Sequence, residues 1–154
     1  MPTIFKTGFD YMDFEPVSKW LHDAYWSPGI TQDEVILGAK NSSLVVGGFD
    51  EFGKQISFLR IISDKVRFAY ILDVIVDPNF RKQGIGRSMV KYAMNHPEMS
   101  LVYQWVLKTK DAHGVYAKLG FGPINDPERW MIIQGLREDR SQFQTSNIFQ
   151  KTDY

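Results

Sequence analysis

AYILDVIVDPNFRKQGIGRSMVKYA, residues 69–93, decides the fold because a strand, a turn and a helix follow one another in it without a gap. Residues 69–76 are nearly all apolar and rich in β-branched side chains, a pattern typical of a central strand covered on both faces. Asp77-Pro78-Asn79 ends that strand, since proline cannot donate a hydrogen bond to a sheet and all three residues favour turns. Apolar side chains then recur at helical spacing from Ile85 to Ala93. The stretch therefore predicts a buried strand that leads through a turn into an amphipathic helix.

The predicted helix begins at two glycines, Gly84 and Gly86. The first turn of a helix presents unpaired N–H groups and the positive end of the helix dipole, which attract phosphate, and glycine lets a ligand approach the backbone closely. Arg81 and Lys82 add positive charge beside the turn. From these residues alone, a phosphate-binding turn and a purely structural turn are equally good interpretations. A dinucleotide fingerprint is excluded because Met89 stands where its third glycine belongs, and a Walker loop is excluded because no Lys-Ser or Lys-Thr follows the second glycine.

The turn also resembles motif A of the GNAT superfamily of acyl-CoA-dependent N-acyltransferases, in which Arg81, Gly84 and Gly86 occupy the motif positions. The resemblance implies that the turn amides bind the pyrophosphate of coenzyme A, that the preceding strand pairs with the pantetheine arm, and that acetyl-CoA is the co-substrate. The residues implied to bind it are Ile75, Val76, Arg81, Lys82, Gln83, Gly84, Ile85, Gly86, Arg87, Ser88 and Tyr116. Asp111-Ala112-His113-Gly114 and Arg129-Trp130-Met131 resemble an uncharacterised bacterial-type branch of the family.

The composition fits one domain with no strong electrostatic preference for a partner. The chain has 154 residues, and its 18 lysines plus arginines are balanced by 18 aspartates plus glutamates. The formal net charge is therefore zero, and the overall charge does not indicate binding to nucleic acid or to a membrane surface. It contains no cysteine, which excludes disulfides and a cysteine nucleophile. No signal peptide or long apolar run is present, and we expect a cytoplasmic protein. We expect residues 1–136 to form the domain and residues 137–154 a polar tail that is docked or partly disordered.

The order of predicted elements indicates an α+β sandwich, with a mixed, largely antiparallel sheet of about six to seven strands flanked by about four helices. This order also resembles the GNAT fold. The elements after the first helix include a capping box at Thr31, a hairpin and the stretch 69–93. The remaining predicted elements are strands over residues 101–108 and 130–136, a short helix over residues 111–119, and an irregular strand that begins at Phe121.

Tyr116 lies on that short predicted helix and has two interpretations. Its face carries Ala112 and Leu119, so periodicity favours a core tyrosine whose hydroxyl is satisfied elsewhere. The surrounding residues, however, resemble motif B of the GNAT family, which implies that the hydroxyl acts as the general acid for the leaving thiolate. The sequence departs from the family at Thr109, where many members have an asparagine that contacts the coenzyme.

Asp73 interrupts the apolar strand and is predicted to share a face with Ile71 and Ile75. Burial of an unpaired carboxylate favours proton uptake, as a general base requires, and several GNAT enzymes place an acid on this strand. Two alternatives are equally open: a structural carboxylate held by Arg60, Arg67 or backbone amides, and an anchor for a cationic substrate.

The acceptor site is expected near an aromatic turn that contains Tyr25 and Trp26, which could bind an apolar or cationic group by stacking. In the family layout Trp130 approaches from the other wall, and His113 lies one helical turn before Tyr116. The alternatives are a solvated loop and a surface histidine. No spacing of His, Asp and Glu indicates a metal site.

These observations lead to one predicted function and three rivals. The prediction is an N-acetyltransferase that transfers acetyl from acetyl-CoA to a small-molecule amine by direct attack in a ternary complex, with a homodimer possible by resemblance to the family. The rivals are a non-enzymatic acyl-CoA-binding module, a protein or peptide N-acetyltransferase, and a nucleotide-binding domain unrelated to coenzyme A.

Overall fold

The computed structural model describes residues 2–135, which form a five-stranded sheet with four α-helices. The strands are β1 (Ile4–Thr7), β2 (Leu44–Phe49), β3 (Gln55–Ser63), β4 (Ala69–Val76) and β5 (Trp105–Val106). The helices are α1 (Phe14–Asp23), α2 (Gln32–Lys40), α3 (Ile85–Met94) and α4 (His113–Ala117). The predicted fold class is confirmed. Among residues 2–135, no helix has the length and apolar character that a bilayer crossing needs.

The sheet follows the chain order β1-β2-β3-β4-β5. Its first three pairings are antiparallel, whereas β4 and β5 are parallel. That last pairing consists of Ala69 with Trp105 and Tyr70 with Val106. Beyond Tyr70, no residue of β4 pairs with β5, which ends at Val106. The remainder of β4, residues 71–76, therefore has no strand partner on the β5 side of the sheet.

Two hydrophobic cores cover the two faces of the sheet. On one face Val17 and Leu21 of α1 are fully buried with Phe58 of β3. On the other, Met89 and Val90 of α3 are fully buried in a separate cluster. The amphipathic helix predicted for residues 85–93 is therefore confirmed, and its apolar stripe fixes the orientation of α3 against the sheet.

Local capping explains where two helices begin. The hydroxyl of Thr31 accepts a hydrogen bond of 3.2 Å from the backbone N–H of Glu34, which confirms the predicted cap of α2. Gly84 is the N-cap of α3 and has a φ of 77°. Only glycine adopts this left-handed conformation without a steric penalty, so this residue permits the abrupt entry into α3.

β4 contains a bulge that overturns one prediction. Its register against β3 shifts between Phe58 and Arg60, and Asp73 has a φ of 56°. Ile71 consequently packs in the core beneath α3, whereas Ile75 packs in the core beneath α1. The prediction that Asp73 shares one face with both isoleucines is wrong, because an extra residue reverses the alternation of side chains along a strand.

The sheet is shorter at its far edge than the sequence suggested. The strand predicted over residues 101–108 is reduced to Trp105–Val106, and residues 121–126 and 130–135 have no regular structure. Within residues 2–135 the strand count is therefore five, slightly below six to seven. Apolar or alternating residues form a strand only where a neighbouring strand offers hydrogen bonds. Within residues 2–135 no strand pairs with Met131 or Ile133, and both side chains are almost fully exposed. Residue 136 and the predicted tail 137–154 lie outside the described residues.

Candidate active site

The gap between β4 and the segment after β5 forms a cavity of about 560 Å³, called here the aromatic cavity. Its floor and walls come from residues 70–74 of β4, the loop before α4, Tyr116 of α4 and the loop between α1 and α2. The residues that line it are Tyr25, Trp26, Tyr70, Ile71, Leu72, Asp73, Val74, Leu107, Lys108, Thr109, Lys110, Asp111, Ala112 and Tyr116.

A second cavity, of about 440 Å³, lies at the amino end of α3 and is called here the basic cleft. Four of its residues carry positive charge, and the helix dipole adds to that field. The residues that line it are Val76, Phe80, Arg81, Lys82, Gly84, Ile85, Gly86, Arg87, Val115 and Lys118. Lys118 was not predicted, and its only sequence signal is its position two residues after Tyr116. The charge and the exposed helix amides suit a pyrophosphate group.

Gly86 marks the route between the two cavities. A Cβ atom built on Gly86 would lie 3.7 Å from Cγ2 of Val76, which lines the basic cleft, and 4.0 Å from Cγ1 of Val74, which lines the aromatic cavity. These are ordinary van der Waals distances, so the protein itself does not require glycine here. Glycine at this position thus leaves the β4 side chains Val74 and Val76 without a covering side chain from α3.

Tyr116 brings a phenol into the aromatic cavity. Its ring packs edge-on against Phe121, with centroids 6.0 Å apart, and the side chain is partly buried. Burial, and to a smaller extent the nearby Tyr25, raises the pKa of Tyr116 above its usual value of 10.0. Among residues 2–135 its hydroxyl has no hydrogen-bond partner. A protonated, unengaged phenol at this position can donate a proton to a ligand.

Asp73 is held by two donors. Nε of Arg60 donates to Oδ2 at 2.7 Å, and Nε1 of Trp26 donates to Oδ1 at 3.0 Å. The side chain of Asp73 is only 11% exposed, so this pairing offsets the cost of its burial. Arg60 was one of the partners considered for a structural carboxylate, whereas Arg67 instead donates to the hydroxyl of Tyr103.

Tyr25 and Trp26 close the aromatic cavity from the α1–α2 side. Their rings meet edge-on with centroids 5.0 Å apart. The hydroxyl of Tyr25 accepts a hydrogen bond of 2.9 Å from the backbone N–H of Lys110, and the ammonium of Lys110 lies 5.5 Å from the centre of the same ring. The aromatic turn predicted from sequence therefore reaches across to the loop before α4.

The departure at Thr109 has a structural explanation. Its hydroxyl accepts a hydrogen bond of 2.9 Å from the backbone N–H of Ala112, immediately before α4. The threonine thus stabilises the start of the helix that carries Tyr116.

Not every predicted site residue lies in the two cavities. His113 is exposed at the start of α4, and Trp130 is 45% exposed after residues 127–129; neither lines the aromatic cavity. Ile75 is buried in the core, while Gln83 is exposed in the turn and Ser88 lies on α3, so these three do not line the basic cleft. Their predicted roles stay predictions. Among residues 2–135 no three His, Cys, Asp or Glu side chains are grouped closely enough to hold a metal ion.

Comparison with known proteins gives one family match and many structural matches. A model described as an acetyltransferase (GNAT) domain matches residues 40–123, a range that includes the basic cleft and Tyr116. No functionally curated protein matches the sequence.

Among solved structures, a GNAT-family protein from Xanthomonas campestris pv. campestris is 32% identical, with a TM-score of 0.80 over 88% of this chain and 94% of the other. Glucosamine-6-phosphate N-acetyltransferase from Arabidopsis thaliana shares the fold at 18% identity, with a TM-score of 0.60 over 88% of this chain and 99% of the other. A Clostridium acetobutylicum protein solved with acetyl-CoA is 15% identical, with a TM-score of 0.59 over 86% of this chain and 96% of the other.

Proposed function

This chain belongs to the GNAT family of acetyltransferases, and from that premise we propose that it transfers the acetyl group of acetyl-CoA to the amine of a small molecule, by direct attack in a ternary complex. The observation that carries the proposal is the succession of the basic cleft and the aromatic cavity along β4. Val76 lines the first and Val74 the second, with Gly86 open between them. An anionic cofactor with a long arm and a thioester at its end matches that succession.

The basic cleft is the proposed site for the pyrophosphate. No side chain caps the first amides of α3, Gly84 permits the turn into that helix, and Arg81, Lys82 and Lys118 supply positive charge. The pantetheine arm would extend along the part of β4 that has no β5 partner, from Val76 towards Val74. The solved Clostridium acetobutylicum relative contains acetyl-CoA, which supports this assignment of the co-substrate.

Tyr116 is the proposed general acid. Acetyl-CoA supplies the activated acetyl group as a thioester. The acceptor's neutral amine attacks the carbonyl carbon, the carbon–sulfur bond breaks, and Tyr116 gives its proton to the departing sulfur while the new amide loses a proton. With a pKa above the usual 10.0, Tyr116 is protonated at neutral pH and therefore has a proton to give to the thiolate.

For Asp73 the contacts support a positioning role over a catalytic one. Both carboxylate oxygens already accept a hydrogen bond, from Arg60 and from Trp26, and the side chain is almost buried. A general base needs an oxygen within reach of the proton that it removes. We therefore propose that Asp73 holds Trp26 against the aromatic cavity and that the proton of the amine passes to solvent.

A small acceptor is favoured over a peptide by the way in which the α1–α2 loop meets the loop before α4. The contacts of Tyr25 with Lys110 and of Trp26 with Asp73 both cross the aromatic cavity from that side. A peptide substrate needs a continuous groove, whereas these two contacts lie across the α1–α2 side of the cavity of about 560 Å³.

The test measures binding first and turnover second. Calorimetric titration of the full chain should show selective binding of acetyl-CoA over ATP and NAD. Release of coenzyme A can then be followed with a thiol reagent, free of protein background because the chain has no cysteine. Faster acetylation of small amines than of peptides is expected; the reverse order would favour a peptide acetyltransferase, and absent binding of acetyl-CoA would refute the proposal.

A further inference from the structure

Two lysine residues line the aromatic cavity and have no acidic partner among residues 2–135. Lys108 and Lys110 are exposed side chains of the segment after β5, and both contribute to the wall. Within residues 2–135 neither forms an ion pair. Their charges are therefore available to a ligand in the cavity.

The remaining charges of the cavity do not cancel these lysines. Asp73 is already neutralised by Arg60, whose Nε lies 2.7 Å from its carboxylate. Asp111 is the other acidic residue of the lining, and it has no ion-pair partner among the described residues. Once the Arg60–Asp73 pair is set aside, the residues that line the cavity carry two positive charges and one negative charge.

The position of Lys110 places positive charge at the acceptor end of the cavity. Its ammonium lies 5.5 Å from the ring centre of Tyr25, and its backbone N–H donates to the hydroxyl of the same residue. Tyr25 belongs to the α1–α2 loop, whereas the basic cleft is built from the start of α3 and from α4. Lys110 is therefore separate from the lysines and arginines assigned to the pyrophosphate.

Resting on the proposed function, we infer that the acceptor is an amine that also carries an anionic group, a carboxylate or a phosphate, and that Lys108 and Lys110 bind this group. A simple alkylamine is a cation at neutral pH and would meet two like charges, whereas an amine with an anionic group presents a partner to the lysines and its ammonium to Asp111. The class of acceptor is thus set by charge on the wall opposite β4.

The inference is tested with amines that differ chiefly in charge: 2-aminoethyl phosphate, 3-aminopropanoate, propylamine and 1,3-diaminopropane. Each is titrated by calorimetry into protein saturated with coenzyme A, so that no turnover is needed. We expect the phosphate to bind most tightly and the carboxylate next, each at least about tenfold more tightly than propylamine at low ionic strength, with the difference shrinking as salt is added. Tighter binding of 3-aminopropanoate than of 2-aminoethyl phosphate would identify the acceptor as an amino acid. Equal or tighter binding of propylamine would overturn the inference.

Charge variants provide the second arm. The double variant Lys108→Met, Lys110→Met should lose the preference for anionic amines, and Lys108→Glu, Lys110→Glu should reverse it in favour of 1,3-diaminopropane. The matched control is Lys40→Met, because Lys40 is exposed at the end of α2 and lines neither cavity. Unchanged preference in both double variants would overturn the inference.

Binding of acetyl-CoA separates this inference from the function on which it rests. The Kd of the double variants for acetyl-CoA should stay within about threefold of that of the unmodified protein. Residues 108 and 110 lie outside the basic cleft, and solvent and salt screen their charges from it. If the unmodified protein binds acetyl-CoA but shows no preference for anionic amines, only the inference about the acceptor fails. If it does not bind acetyl-CoA, the proposed function fails and the inference with it.

Discussion

The indole nitrogen of Trp26 donates a hydrogen bond of 3.0 Å to the carboxylate of Asp73, and so joins residues 47 positions apart in the chain. The bulge in β4 makes this contact possible, because the positive φ of Asp73 interrupts the regular alternation of the strand. Arg60 completes the arrangement on the neighbouring strand β3. One carboxylate thus connects the wall of the aromatic cavity to the sheet.

Removal of the indole donor should weaken acceptor binding selectively. We expect Trp26→Phe to raise the KM for the acceptor about fivefold, since a partly exposed hydrogen bond to a charged group contributes about 1 kcal/mol. The kcat and the affinity for acetyl-CoA should change little. Steady-state kinetics measures both, with Trp20→Phe as the matched control because Trp20 lines neither cavity. A fall in kcat at constant KM would argue against a positioning role.

The Arg60–Asp73 pair should contribute to stability as a unit. Asp73→Asn is expected to lower the free energy of unfolding by about 1–3 kcal/mol, because it leaves a largely buried guanidinium without its charged partner. Asparagine tolerates the left-handed φ, so backbone strain is not added.

Urea denaturation of Asp73→Asn, Arg60→Met and the double variant gives the coupling between the two residues. Additive losses would contradict the pairing. A decrease in kcat of two or more orders of magnitude in Asp73→Asn alone would instead restore the general-base interpretation.

Tyr116→Phe should lower kcat by about 10²–10⁴-fold, the usual contribution of a positioned general acid. Acetyl-CoA affinity should be nearly unchanged, because the ring and its edge-on packing against Phe121 are retained. Stopped-flow or steady-state assays of thiol release measure the rate, and calorimetry measures the affinity for acetyl-CoA. Tyr103→Phe is the control, since the hydroxyl of Tyr103 contacts Arg67 on the surface, away from the cavity. A rate equal to that of the unmodified protein would remove Tyr116 from the mechanism.

The ionisation of Tyr116 predicts where activity is lost at high pH. Its pKa is raised by burial above the usual 10.0, and the protonated form is the active one. Activity that depends on this proton is therefore fully present at neutral pH and is lost as pH rises through the raised pKa of the folded protein. Near-ultraviolet titration of tyrosinate, taken as the difference between the unmodified protein and Tyr116→Phe, should show a midpoint for this phenol above pH 10.0. A midpoint at or below pH 10.0 would contradict the assignment.

The two glycines of the basic cleft should respond differently to alanine. At Gly86 a methyl group meets no atom of the protein closer than 3.7 Å, so Gly86→Ala should fold with unchanged or slightly higher stability yet bind acetyl-CoA at least about tenfold more weakly. At Gly84 the φ of 77° makes alanine costly by about 1–2 kcal/mol. Thermal unfolding and calorimetric binding separate the two effects. Acetyl-CoA affinity that survives in Gly86→Ala would show that the cofactor does not pass between Gly86 and Val76.

The sequence predicted those features that depend on neighbours along the chain. The strand at residues 69–76, the turn at Asp77-Pro78-Asn79 and the start of α3 at Gly84 all follow from local propensity, periodicity and the backbone freedom of glycine. The threonine cap of α2 is equally local. These elements were sufficient for the fold class and for the family resemblance, because the family motif itself lies within one strand–turn–helix unit.

What only the tertiary structure decided depends on pairing between distant strands. The bulge at Asp73 arises where β4 meets Arg60 of β3, and the aromatic cavity exists because β5 leaves β4 after two residue pairs. Neither event has a signature in residues 69–93, since register and splay are set by packing and hydrogen bonds with other segments. The sequence alone determined that a glycine turn with basic neighbours precedes α3. The folded chain determined that Asp73 contacts Trp26 and Arg60, because one extra residue in a strand redirects every side chain after it.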